Sequence, residues 1–284
     1  MSANLLPKAP LIRDWLHTAT IQLVGVGIGT AKLDAEIILA HTLRKPRTYL
    51  HAHDEMQLSL REQEIADARL LLRLDRTPIA YIIGHKEFYG RKFKVTPATL
   101  IPRPESEAII TSLQRIVPNT KALINESPKR LVDVGAGSGI LGITAKLEHP
   151  ELDVTLIDTS RHALNVAEQN AKILHADITI LRSDLLSQYV LLADIIIANL
   201  PYVDPSWERS PETDQEPALA LFADDNGLRL IKKLIEQIPA KLRSGGYLLL
   251  EADPRQHSPI IKFAKDYGLT KRSIEGFIIC LQLV

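Results

Sequence analysis

Four consecutive residues, Asn199, Leu200, Pro201 and Tyr202, have the composition of a site that handles a planar NH2 group. The nitrogen of an amide or an exocyclic amine is a poor nucleophile, because its lone pair is delocalised into the π system. A transferase acting on it must hold the nitrogen and align it with an electrophile. The side-chain oxygen of Asn199 and the main-chain carbonyl of Leu200 are two acceptors for the two N–H bonds. Pro201 restricts Leu200 to extended geometry and so fixes the direction of that carbonyl in advance. Tyr202 offers a flat ring to stack on the substrate group. These four are the candidate catalytic and substrate-binding residues. A strand end closed by a proline turn has the same composition, so the tetrapeptide alone leaves that reading open.

A second cluster lies upstream, where residues 133–142 read DVGAGSGILG. Gly135, Gly137 and Gly139 let the backbone turn tightly and approach a ligand, and the helix that follows presents free N–H groups to it. With Asp133, Ala136 and Ser138 they form a candidate nucleotide-type cofactor site. Gly137, Gly139 and Gly142 also fit G-x-G-x-x-G, so the glycines alone do not separate NAD from S-adenosylmethionine. Asp158 ends the next strand 19 positions after Gly139, where an acid accepts both ribose hydroxyls. Asn199 is shared between this site and the substrate. Methyl transfer gives every residue of the tetrapeptide a task that hydride transfer does not, which selects S-adenosylmethionine as the cofactor.

The elements that must position these residues follow from the apolar pattern. From Leu131 onward, RLVDVG, DVTLID, ITILRSD, ADIIIANL, GGYLLLEAD, KRSIE and FIICLQLV are seven strand candidates, most of them separated by helix-length segments. The expected fold class is α/β, a doubly wound, mostly parallel seven-stranded methyltransferase sheet. Before it, LIRDWLHTATIQLVGVG, AKLDAEIILAHTLRK and SLREQEIADARLLLRL carry apolar residues at helical spacing, the third opening with Ser59 and Glu62 as a capping box. Residues 77–95 mix β-branched and aromatic residues with Gly84 and Gly90 and read as a hairpin. The expected division is a small helical substrate-docking domain over 1–76, a hairpin linker over 77–98 and a Rossmann-like methyltransferase domain over 99–284.

Composition narrows the class of protein. Lys plus Arg and Asp plus Glu both number 34, so the chain lacks the basic excess of a dedicated nucleic-acid binder. The single cysteine, Cys280, reads as a buried strand thiol, which fits a reducing compartment. The opening residues lack a basic start followed by a sustained apolar stretch, and no later stretch reaches spanning length, so a soluble cytoplasmic chain is expected. His51 and His53 are two apart without other ligands nearby in sequence and read as a solvated loop, and no metal is assigned.

The residues already quoted resemble the release factor glutamine N5-methyltransferases, the HemK/PrmC family. Asn-Leu-Pro-Tyr is similar to that family's Asn-Pro-Pro-Tyr, which amino-methylating DNA enzymes share, and is closer still to the motif of ribosomal RNA adenine dimethyltransferases. The stretch AYIIGHKEFYGRKFKVTPATLIPRPESE, 80–107, resembles the HemK/PrmC signature almost throughout and is absent from the RNA enzymes. DAEIILAHTLRKPRTYLHAHDE is similar to the family's helical N-terminal domain, and QEPALALFADDNGL to its Glu-Pro-x-x-Ala-Leu segment. The resemblance covers nearly the whole chain. It departs at Leu200, which replaces a proline, at Leu185, where some members carry an aromatic, and at EADPRQ, which replaces Glu-Ile-Gly.

The resemblance implies methylation, from S-adenosylmethionine, of the glutamine side-chain nitrogen in the Gly-Gly-Gln motif of class I peptide chain release factors. It places Asp184 and Leu185 near the adenine and gives Arg103 and Glu105 a site-lining role; the alternative for these two is that they pair with each other or face solvent. It implies a monomer with a protein substrate and no direct contact with nucleic acid or membrane. An adenine N6-methyltransferase acting on RNA or DNA would use the same residues and is the alternative. A non-catalytic cofactor-binding module would leave the order Asn-Leu-Pro-Tyr unexplained.

Overall fold

The structure, a computed structural model, describes residues 9–117 and 129–284. Met1 to Lys8, part of the opening read above for a leader, lie outside the described residues, as do 118–128. The chain separates into two compact units, one comprising residues up to Gly84 with Pro211–Gln215, the other His85–Ser210 with Glu216–Val284.

The first unit is helical: α1 (Ile12–Gly25), α2 (Ala31–Leu43), α3 (Arg47–Ala52), α4 (Leu60–Leu74) and α5 (Ile79–Ile83). Its core is the merged apolar stripes of these helices, with Ile12, Trp15, Leu23, Ile38, Leu39 and Leu50 buried. Ser59 and Glu62 form the capping box at the start of α4 that their spacing predicts, the Ser59 hydroxyl accepting from the Glu62 N–H and the Glu62 carboxylate from that of Ser59. Buried Arg73 of α4 donates to Asp34 of α2 at 2.8 Å and to Glu212 at 3.1 Å. His51 and His53 do not sit in a loop: His51 belongs to α3, and His53 ends it, stacked on Tyr49 at 3.9 Å. The segment expected as a hairpin likewise opens helically, with Pro78, at ψ of 138°, as the non-helical residue that caps the start of α5. No helix among the described residues is long and apolar enough to cross a membrane.

The second unit begins with the antiparallel pair β1 (His85–Phe88) and β2 (Arg91–Lys94), turned at Tyr89 and Gly90. There follow α6 (Glu107–Ile116), β3 (Arg130–Val134), α7 (Ile140–Glu148), β4 (Asp153–Asp158), α8 (Arg161–Leu174), β5 (Thr179–Arg182) and β6 (Ala193–Ala198). The chain ends with α9 (Ala218–Leu221), α10 (Arg229–Lys241), β7 (Leu242–Glu251), α11 (Pro254–Lys265), β8 (Leu269–Glu275) and β9 (Ile278–Leu283). The seven strands from β3 to β9 match the seven apolar runs and form one sheet in the order β5-β4-β3-β6-β7-β9-β8. All pairs are parallel except β7 with β9 and β9 with β8, because the short Gly276 turn joins β8 to β9 and leaves no room for a crossover.

Both faces of the sheet are covered, as the near-continuous apolar runs require. On β6, Ile196 and Ala198 pack into one core with Val132, Val134, Leu248 and Leu250, whereas Ile195 and Ile197 pack into the other with Leu131 and Leu249. Cys280 on β9 is buried in this second core, as its apolar neighbours predict. β3 has β4 on one side and β6 on the other, so the strand order reverses direction there and a crevice opens beyond the carboxyl ends of β3 and β6.

Candidate active site

The glycine turn after β3 is held by its own backbone. The N–H groups of Gly135 and Ala136 both donate to the Ile157 carbonyl of β4, at 2.8 and 2.9 Å. Gly135, Gly137 and Gly139 all take positive φ, which side-chain-bearing residues seldom adopt. At Gly139 a Cβ would also meet Ile143, Ala167 and Leu156 within 3.1 Å, so this glycine lets α7 and α8 close onto the turn. Asn170 of α8 is buried and donates to the Ser138 carbonyl at 2.8 Å, while its oxygen accepts from Lys94 of β2 at 2.7 Å. The β1-β2 pair is thereby tied to the turn.

Asp158 at the end of β4 accepts from the N–H of Gly137 at 2.9 Å and from that of Ser160 at 2.8 Å. Burial raises its carboxyl above the ordinary range, and the N–H groups of Ser160, Gly137 and Thr159 pull it back. Asp133 sits beneath the turn: fully buried, it accepts from the Gly142 N–H at 2.8 Å, and its other oxygen meets no hydrogen-bonding group among the described residues. Burial, only partly offset by that bond and reinforced by Asp158, pushes its carboxyl up to about 7.

A cavity of about 320 Å³ lies over this turn. It is lined by Gly135, Ala136, Gly137, Ser138 and Asp158, by Asp184 and Leu185, by Arg103, and by Asn199, Leu200 and Pro201. Residues from opposite ends of the sequence-predicted set thus share one space. Asp133, Gly139, Glu105 and Tyr202 are not in the lining. Asp133 and Gly139 brace the turn from below, and Glu105 is exposed. Arg103 does not pair with Glu105. Its guanidinium reaches the buried Glu216 carboxylate, which also accepts from the Ile101 N–H at 3.0 Å, so Glu216 of the QEPALAL segment pins the Ile-Pro-Arg-Pro turn. Asp184 pairs with Lys233 at 2.6 Å, and buried Leu185 takes φ of 49°, a conformation uncommon for a branched side chain that turns it into the lining.

At the end of β6 the tetrapeptide is fixed by partners that the sequence does not announce. Asn199 donates through Nδ2 to the Ser106 hydroxyl at 3.0 Å, and that hydroxyl donates to Glu251 at 2.5 Å. Glu251, the last residue of β7, also accepts from the Tyr202 hydroxyl at 3.2 Å. Burial raises the Glu251 carboxyl, against the lowering pull of Ser106, Tyr202 and Asn199, and burial with the Glu251 charge raises the Tyr202 phenol. The Leu200 side chain lies against Gly135, where a Cβ would stand 2.8 Å from its terminal methyl. Glu251 carried one local signal, an acid closing an apolar strand. Ser106 carried none, being one residue of a proline-rich turn until the fold brings it to Asn199.

EADPRQ, the departure from Glu-Ile-Gly, has a physical account. Asp253 caps α11, Pro254 takes its first position, and Gln256 completes a capping box by accepting from the Asp253 N–H at 3.1 Å. The Gln256 amide nitrogen donates to the carbonyls of Tyr202 and Asn226.

The glycine cradle, the carboxylate at the end of β4 and the apolar lining fit a nucleoside-bearing sulfonium cofactor, and with the sheet order they define a class I S-adenosylmethionine-dependent methyltransferase. Residues 14–84 match the family model of the PrmC N-terminal domain, and residues 110–214 that of the methyltransferase small domain. The chain is 36% identical over 241 residues to the release factor glutamine methyltransferase of Koribacter versatilis, covering 83% of this chain and 84% of that one. It is 33% identical over 286 residues to the enzyme of the same name from Escherichia coli, covering 93% and 98%. The chain belongs to the release factor glutamine methyltransferase family. Among solved structures, the 16S rRNA N2 G1207 methyltransferase of Thermus thermophilus, in complex with AdoMet and guanosine, superposes with a TM-score of 0.51 at 14% identity. That match covers 70% of this chain and 49% of the other, and it speaks for the fold alone.

Proposed function

We propose that the enzyme transfers the methyl group of S-adenosylmethionine to the side-chain amide nitrogen, N5, of the glutamine in the Gly-Gly-Gln motif of class I peptide release factors, in the cytoplasm. The observation that carries this reading is the sharing of one cavity by the glycine turn and by Asn199, Leu200 and Pro201. When bound, the cofactor supplies an electrophilic methyl group on sulfur. Asn199 and the Leu200 carbonyl accept the two amide N–H bonds and hold the nitrogen in line with that methyl. Pro201 holds the carbonyl's direction, and Tyr202 flanks the amide plane. As the N–C bond forms, the methyl–sulfur bond would break with its electron pair going to sulfur as a neutral thioether; the nitrogen becomes acidic and one N–H proton leaves to water, so no strong base is required.

Asp158 is the acceptor for the ribose hydroxyls in this reading, and Asp184 and Leu185 flank the adenine. The helical unit docks the release factor, because the atoms around the amide are the same in every glutamine and selectivity must come from contacts remote from it. Incubation with labelled S-adenosylmethionine and either a release factor or RNA tests the assignment. Label in the Gly-Gly-Gln glutamine is the expected result, and label in adenine instead would overturn it.

A further inference from the structure

The Asn199 side chain can meet a substrate amide in two orientations. With its oxygen toward the substrate it accepts an N–H; turned over, it presents its own NH2, and donor faces donor. We propose that Glu251 sets the productive orientation, both through Ser106 and by drawing the Asn199 amide nitrogen toward its own carboxylate, and is a positioning residue for methyl transfer. This rests on the reading of Asn199 as the acceptor for the glutamine amide.

The argument is one of hydrogen-bond polarity. An ionised carboxylate only accepts, and a hydroxyl has a single proton to give. Ser106, with no exposed surface, spends that proton on Glu251 at 2.5 Å. Its oxygen can then only accept, so the end of Asn199 that reaches it at 3.0 Å must be Nδ2, and Oδ1 is left for the substrate. The second oxygen of Glu251 takes the Tyr202 proton at 3.2 Å. One carboxylate, 1% exposed, therefore fixes the first and the last residue of Asn-Leu-Pro-Tyr. The fold places it there by register, because Leu250 of β7 lies opposite Ala198 of β6, and Glu251 and Asn199 are the next residues along. Inside a buried network such directionality is costly to reverse, since each reversal leaves a donor or an acceptor without a partner.

The test uses the full-length enzyme, S-adenosylmethionine and a Gly-Gly-Gln peptide. Glu251→Gln and Ser106→Ala are each made in the wild-type and in the Asn199→Ala background. Glu251→Gln keeps the shape but lets Ser106 reverse; Ser106→Ala breaks the relay with a side chain small enough for the buried site. Each alone should lower kcat by about ten- to a hundredfold, with cofactor affinity by calorimetry changed by less than about threefold. In the Asn199→Ala background each should cost less than about a further twofold, because the residue through which they act is gone. Equal losses in both backgrounds would overturn the proposal, as would loss of cofactor affinity in step with kcat. If Glu251→Gln fails to fold, Ser106→Ala decides alone. A wild-type enzyme that leaves the Gly-Gly-Gln peptide unmethylated would overturn the methylation reading itself, which is a separate outcome from additive losses in an active enzyme.

Discussion

The side-chain amide of Gln256 donates to the main-chain carbonyl of Tyr202 at 2.8 Å, joining the start of α11 to the end of the Asn-Leu-Pro-Tyr segment. The same nitrogen donates to the Asn226 carbonyl at 2.7 Å. Gln256→Ala leaves two acceptors without this donor and removes half of a capping box. The expected cost is about 1–3 kcal/mol of stability, read by denaturant unfolding, together with a fall in kcat.

Gly227 stands in the same place at still closer range. A Cβ there would lie 1.9 Å from the Tyr202 carbonyl oxygen, and its φ of 78° already disfavours any other residue. Gly227→Ala should destabilise the protein by about 3 kcal/mol, whereas Gly25→Ala, with nothing within 4 Å of the added carbon, should be nearly silent. Equal melting shifts for the two would contradict the close approach.

Asp158→Ala removes the proposed ribose acceptor and the partner of the Gly137 N–H at once. S-adenosylmethionine affinity should fall by about 1.5–3 kcal/mol. Calorimetry on a folded variant that shows unchanged affinity would refute the assignment. Asn199→Ala should show the reverse pattern, with turnover reduced about a hundredfold and cofactor affinity nearly kept. Leu200→Pro, which restores the family's proline, should retain or raise activity, because the proposed contact is a backbone carbonyl.

Asp133 makes stability depend on pH. Its carboxyl is raised from 3.8 to about 7 on folding, so between these values the folded state holds a proton that the unfolded chain has released. Stability should therefore decline as pH rises through this window and level off above it, by an amount on the order of a few kcal/mol. Asp133→Asn keeps an acceptor for the Gly142 N–H and cannot ionise, so its stability should lack that slope. Urea unfolding at pH 5 and pH 8, compared between the two proteins, reads the difference directly.

The proposed docking of the release factor on the helical unit is testable at that unit's exposed apolar side chains. Ile21, Val24 and Leu71 are large apolar side chains left more than half exposed there. Replacing the three by serine should lower kcat/KM for intact release factor about tenfold or more while leaving a short Gly-Gly-Gln peptide unaffected. A peptide and a protein substrate that lose equally would argue against docking on this surface.

The sequence by itself determined the seven strands, the three long helices of the first unit and the glycine turn after the first strand of the sheet, and it marked the candidate tetrapeptide, because each is written in local terms: apolar period, glycines where φ must be positive, and caps. The 77–95 stretch was legible only in its second half, since the short α5 is too brief to show a helical period. What only the tertiary structure decided is which distant groups meet. Ser106 reaches Asn199 across 93 positions, Glu251 meets Ser106 across 145, and Arg103 meets Glu216 across 113. These meetings are set by strand register and by the packing of turns over the sheet. A hydrogen bond's partner and direction depend on where two chain segments are brought together, and neither segment carries that information alone.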